Sequence, residues 1–122
     1  MTIHDEIAQF NARFSTALAE GDFELIAEMY ADDAQFLSAG SPSVRGREAI
    51  TRMMKERHAS GPTVLTVESG DVWSSGDLVV DVGTFEIDGE PSIRGRELVV
   101  YRRNARGALE LLIDVPISDA SA

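Results

Sequence analysis

The sequence predicts an α+β domain, with three helices first and a four-stranded antiparallel sheet after them. Three observations carry this. Apolar residues repeat with a helical period until about residue 63 and then switch to β-rich runs. The pairs Ser75-Gly76, Asp88-Gly89 and Arg106-Gly107 divide those runs with hairpin turn chemistry. No linker or low-complexity tract interrupts the 122 residues, so residues 1–122 read as one domain. Residues 118–122 read as a frayed tail.

Ile3, Ile7, Phe10, Phe14 and Leu18 lie on one face of a first helix, which Thr2 caps and Gly21 stops. Asp22 caps a second helix whose apolar face is Leu25, Ile26, Met29 and Tyr30, with Asp32 and Asp33 in the turn beyond it. Ala34–Leu37 read as a short strand and Ser38–Ser43 as a loop. A third helix runs from Glu48 to His58, with Ile50, Met53 and Met54 turned inward, and Gly61-Pro62 ends it. The strands follow at Thr63–Ser75, Asp77–Ile87, Ile93–Arg103 and Ala108–Ile117. PSVRGRE (42–48) and PSIRGRE (91–97) nearly repeat, but one leads into a helix and the other into a strand. The repetition reads as coincidence.

Alternation along the strands separates two faces. Leu78, Val80 and Val82, with Leu98 and Val100, form one; Leu109, Leu111, Ile113 and Val115 join it on the last strand. The other face mixes Val79, Gly83, Phe85 and Val99 with Asp81, Glu97, Tyr101 and Asp114. Three short helices cover only one face of such a sheet. The outer face therefore calls for a second cover, and a homodimer supplies it most simply. Trp73 reads as core or as a contact between copies.

Net charge is −10, from 21 acids against 11 bases. That excludes sequence-independent nucleic-acid binding and attraction to anionic membranes. Residues 1–33 hold eight acids and one Arg, whereas Arg45, Arg47, Arg52, Lys55 and Arg57 cluster on the third helix and its approach; both read as solvated faces. The chain has no cysteine, so disulfides, thiolate metal sites and thiol nucleophiles are excluded. With no apolar run of bilayer length and an acidic, amphipathic start, it predicts a cytoplasmic protein. His4 and His58 match no metal-ligand spacing, and no Gly-rich phosphate loop follows a strand. Neither a metal nor a cofactor is expected.

GDFELIAEMYADDAQF (21–36) followed by VRGREAI (44–50) resembles the ketosteroid-isomerase-like, SnoaL-like branch of the nuclear transport factor 2 superfamily. GDLVVDVGTFEIDG (76–89) and RGRELVVYRRNARG (94–107) resemble its later strands. The resemblance implies a cystatin-like cone, in which a curved antiparallel sheet wrapped by three helices encloses a ligand cavity, usually in a dimer. The fold hosts isomerases, cyclases, lyases, epoxide hydrolases and binding proteins, so activity must be argued from the site. Aligned with steroid isomerases of the superfamily, the catalytic base falls on Ser38, the oxyanion-holding Tyr on Phe14 and the oxyanion-holding Asp on Val99. None of these can move a proton or hold an enolate, so steroid isomerisation is not expected. Aligned with limonene-epoxide-hydrolase-like members, Asp81 and Asp114 match the two catalytic acids, and Val79 replaces the Arg between them.

The resemblance turns Asp81, Glu97 and Asp114 into the cavity. Crowded carboxylates in an apolar cone raise one another's pKa and act as acid and base together. The expectation is a cofactor-independent acid–base enzyme of isomerase, cyclase, lyase or epoxide-hydrolase type, acting on a small hydrophobic molecule. Asp81 and Asp114 would form the pair, with Tyr101 as donor. Phe10, Phe14, Tyr30, Ser38, Met54, His58, Phe85, Glu97 and Val99 would line the substrate site. A non-catalytic dimer binding a small ligand or another protein is the alternative.

Overall fold

Thr2 starts the first helix by capping it reciprocally. Its hydroxyl accepts from the Asp5 amide at 3.1 Å, and its own amide donates to the Asp5 carboxylate at 3.0 Å. In a computed structural model that describes residues 1–119, α1 spans Ile3–Glu20 and buries Ile7, Phe10, Phe14, Ala17 and Leu18. Gly21 closes it at φ 74°, a left-handed conformation that glycine adopts without strain. The Asp22 side chain accepts from the Leu25 amide and starts α2, Phe23–Met29.

The elements that follow are β1 (Tyr30–Phe36), β2 (Val44–Arg45), α3 (Arg47–His58), β3 (Leu65–Ser75), β4 (Leu78–Ile87), β5 (Ile93–Arg103) and β6 (Leu109–Ser118). They build a curved, unclosed sheet in the order β2-β1-β6-β5-β4-β3. The three helices lie against its concave face, and the core joins Ile7, Phe10, Phe14, Ile26 and Ile50 to Val79, Val99 and Tyr101. Among the described residues, no helix is long and apolar enough to cross a membrane.

Several expectations need correction. The sheet has six strands and is mixed, because β1 pairs parallel with β6 while every other pairing is antiparallel. Tyr30 is not on a helix face. It caps α2 in extended conformation (φ −96°, ψ 140°) and opens β1, opposite Leu111. Asp32 and Asp33 accordingly lie on this strand, exposed, rather than in a turn. Ser118 is paired with Gly95 in the sheet, not frayed; residues 120–122 of the expected tail lie outside the described residues.

Leu109 and Leu111 do not share the outer face with Ile113. The register between β5 and β6 slips between Val100 and Tyr101: Val100 pairs with Ile113 and Tyr101 with Leu111, so Leu112 is the extra residue of a bulge. A bulge changes the parity of the strand. Leu109 and Leu111 point to the concave side and are buried, as Asp114 does beyond the bulge.

A second bulge sits in β3, where Ser69 and Gly70 oppose Gly83 of β4. The two glycines allow the backbones to meet. A Cβ on Gly70 would collide with the Val82 carbonyl, and one on Gly83 with the Glu68 carbonyl. The repeated heptapeptide puts its glycine to two uses. Gly46 precedes α3 at φ 90°, whereas Gly95 lies in β5, packed against the Ile117 backbone.

Candidate functional site

Strand pairing lays the concave face out in rows, each about 7 Å from the next. Ile87 and Ile93 form the outermost; Phe85, Gly95 and Ser118 come next; then Gly83, Glu97 and Pro116; then Asp81, Val99 and Asp114; then Val79, Tyr101 and Leu111. Beneath the helices these rows floor a cavity of about 460 Å³. From the helices, Phe10, Phe14 and Met54 line it; from the sheet, Phe85, Glu97, Val99, Tyr101 and Asp114; from the loop after β1, Ser38. The three positions aligned with the steroid-isomerase residues, Ser38, Phe14 and Val99, all face this cavity and none supplies that chemistry.

Three residues expected in the lining are elsewhere. Tyr30 is fully buried behind it, and its hydroxyl donates to Asp114 Oδ2 at 2.9 Å. Asp81 is 2% exposed and accepts the Gly70 amide at 3.0 Å, so it secures the β3 bulge rather than facing the cavity. The same Gly70 peptide meets His4 Nε2 through its carbonyl at 3.2 Å, tying the start of α1 to the bulge. His58 turns away from the cavity toward the α1–α2 corner. Its ring packs edge-on against Phe23, with centroids 5.4 Å apart. Trp73, expected in the core or between copies, is 59% exposed on the convex side.

The wall around the carboxylates is aromatic. Phe10 meets Tyr101 edge-on at 5.2 Å, and Phe14 meets Tyr30 at 6.0 Å. Among the described residues, ion pairs join Arg47 to Glu110, Arg102 to Asp33 and Arg103 to Glu6. None reaches Glu97 or Asp114, so desolvation dominates there. It pushes Glu97 up to about 8, helped by the charges of Asp114 and Asp81. It also pushes Asp114 up to about 6, against the hydrogen bond from Tyr30, which lowers it. Burial first, and the neighbouring acids second, raise Tyr101, so its phenol remains a proton donor. At neutral pH the floor therefore holds a protonated Glu97 on the row next to an ionised Asp114.

Among the described residues, no group of three His, Cys, Asp or Glu is placed to hold a metal ion. The sequence reading missed the rim. Arg57 at the end of α3 also lines the cavity, with its guanidinium over the Phe36 ring at 5.6 Å from the centroid. A basic residue at i+3 from inward-facing Met54 was the available signal.

Comparison with known proteins places this geometry in context. Residues 11–109 match the SnoaL-like domain. A ketosteroid isomerase-like protein of Erwinia carotovora atroseptica superposes with a TM-score of 0.79 at 16% identity, over 97% of each chain. ActVI-ORFA from Streptomyces coelicolor superposes with a TM-score of 0.77 at 18% identity, over 96% of this chain and 97% of that one. A Catenulispora acidiphila protein in complex with S-DNPA is 25% identical, with a TM-score of 0.74 over 92% and 90%. No curated protein matches significantly.

Proposed function

The chain belongs to the SnoaL-like domain family, and on that footing we propose that it is a cofactor-independent acid–base enzyme acting on a small hydrophobic carbonyl compound. One feature carries the reading: two carboxylates that no ion pair among the described residues reaches share an apolar cavity, and their pKa values of about 8 and about 6 bracket neutrality. Asp114, oriented by the Tyr30 hydroxyl, is the base that takes a proton from the carbon beside the carbonyl. Glu97 and Tyr101 donate to the oxygen as charge develops on it. Return of the proton from Asp114 to a different carbon completes an isomerisation, and attack of the enolate on a second carbonyl completes a cyclisation. Asp81 contributes through its charge and its hold on the bulge. Steroid isomerisation by the family mechanism is not part of this reading, given Ser38, Phe14 and Val99.

The test is solvent exchange. Enolisable aryl ketones incubated with the protein in D₂O should exchange the protons beside the carbonyl faster than in buffer, as followed by NMR. Asp114→Asn should lower that rate at least ~10²-fold with the fold intact. No exchange above buffer for any ketone whose binding is seen by NMR would favour the alternative, a non-catalytic ligand carrier, which the liganded Catenulispora relative keeps in view.

We also propose that a second copy covers the convex face, and that the cysteine-free chain works in the cytoplasm. Trp73, Val82 and Ile117 are 59%, 41% and 44% exposed there, beside Val80, Leu98 and Val100. So continuous an apolar surface is unusual on a monomer.

A further inference from the structure

The cavity lining carries charges of both signs. Among the described residues, Arg57 is the one cation in the lining, against two carboxylates, Glu97 and Asp114. It is exposed, in the last turn of α3. None of the ion pairs among the described residues uses it. The Phe36 ring beneath it holds the guanidinium at the mouth. Phe36 is in turn the register partner of Asp114, so this ring lies between the exposed cation and the buried acid. A ligand anion reaching the floor would meet Asp114 in a poorly solvated setting, where like charges repel strongly. At the mouth the same anion meets a planar guanidinium able to bind a carboxylate through two parallel hydrogen bonds. A neutral carbonyl fits the opposite way, accepting from protonated Glu97.

We propose that the cavity takes amphiphilic carboxylates: a flat apolar body, a carboxylate held at the mouth by Arg57, and a neutral end turned inward to Glu97 and Asp114. This rests on the reading of the cavity as a ligand site and adds the substrate's charge and its orientation. Arg57 is thus a specificity residue, outside the proton-transfer chemistry.

Naphthalene-2-acetate and its neutral isostere naphthalene-2-acetamide separate the two readings by calorimetric titration of the full chain at pH 7. The wild type should prefer the carboxylate by about tenfold. Arg57→Gln should abolish that preference. Arg52→Gln, which removes an exposed cation outside the lining, should keep it. Equal affinities in the wild type, or a preference that survives Arg57→Gln, would overturn the inference and leave the ligand site standing. Failure of both probes to bind would overturn the site and the inference together.

Discussion

The two faces of β4, β5 and β6 are made from alternate residues of the same strands, yet they are built for opposite purposes. The concave face, under the helices, sets Asp81, Glu97 and Asp114 among Val79, Val99, Tyr101 and Leu111. The convex face, which no helix covers, is apolar across Val80, Val82, Leu98, Val100 and Ile113. A cover is what gives a carboxylate its chemistry. In water, acids at these positions would titrate as ordinary surface groups. Under the helices, loss of solvent raises Glu97 and Asp114 toward neutrality. The uncovered face has no such use for acids and instead presents surface that another copy can bury.

Breaking the bulge that curls β3 over the concave side should have the largest effect. In Gly83→Ala the new Cβ meets the Glu68 carbonyl, a collision between backbones that no rotamer relieves. The expected loss is about 3 kcal/mol or more, seen as a fall of about 10 °C in melting temperature. An unchanged melting temperature would show that the strands can separate there without cost.

Val82→Asp puts a charge in the middle of the convex face. Sedimentation at micromolar concentration should show the dimer giving way to monomer, with the fold and the cavity chemistry retained. A wild type that is already monomeric at that concentration would contradict the proposed pairing.

A third effect sharpens the contrast between faces through pH. Glu97 titrates near 8 in the folded chain against the usual 4.5. The native state therefore holds the Glu97 proton more tightly than the unfolded state does. That preference stabilises the fold below about pH 4.5 and is lost as pH rises to about 8. Glu97→Gln removes this pH-dependent loss. Its melting temperature should match the wild type at pH 4.5 and exceed it at pH 9. An equal offset at both pH values would mean Glu97 is ordinary in its titration.

Much of this was legible in local pattern, and what was not depends on distant partners. The helices were readable from period and caps because both are local: Thr2, Gly21 and Asp22 act within four residues of themselves. Alternation also placed Asp81, Glu97 and Tyr101 on the concave side, since β4 and β5 pair through their lengths without a slip. Tyr30 was misread because it continues the spacing of Ile26 and Met29, whereas its strand conformation comes from pairing with Leu111, 81 residues later in the chain. The face of Leu109 and Leu111 was misread because β6 carries leucine on both parities, which hides the bulge at Leu112. The burial of Glu97 comes from flanking rows and from the helices opposite, which no local pattern reports. Asp81 had the right parity, but the Gly70 amide across the strand takes its carboxylate out of the lining.

The most direct test is a ¹³C NMR titration of the side-chain carboxyls, with Glu97 and Asp114 assigned from Glu97→Gln and Asp114→Asn. A protonated and an ionised carboxyl side by side at neutral pH require a transition near 8 for Glu97 and one near 6 for Asp114. Both carboxyls titrating below pH 5 would show a hydrated floor with no acid–base pair and would contradict the account.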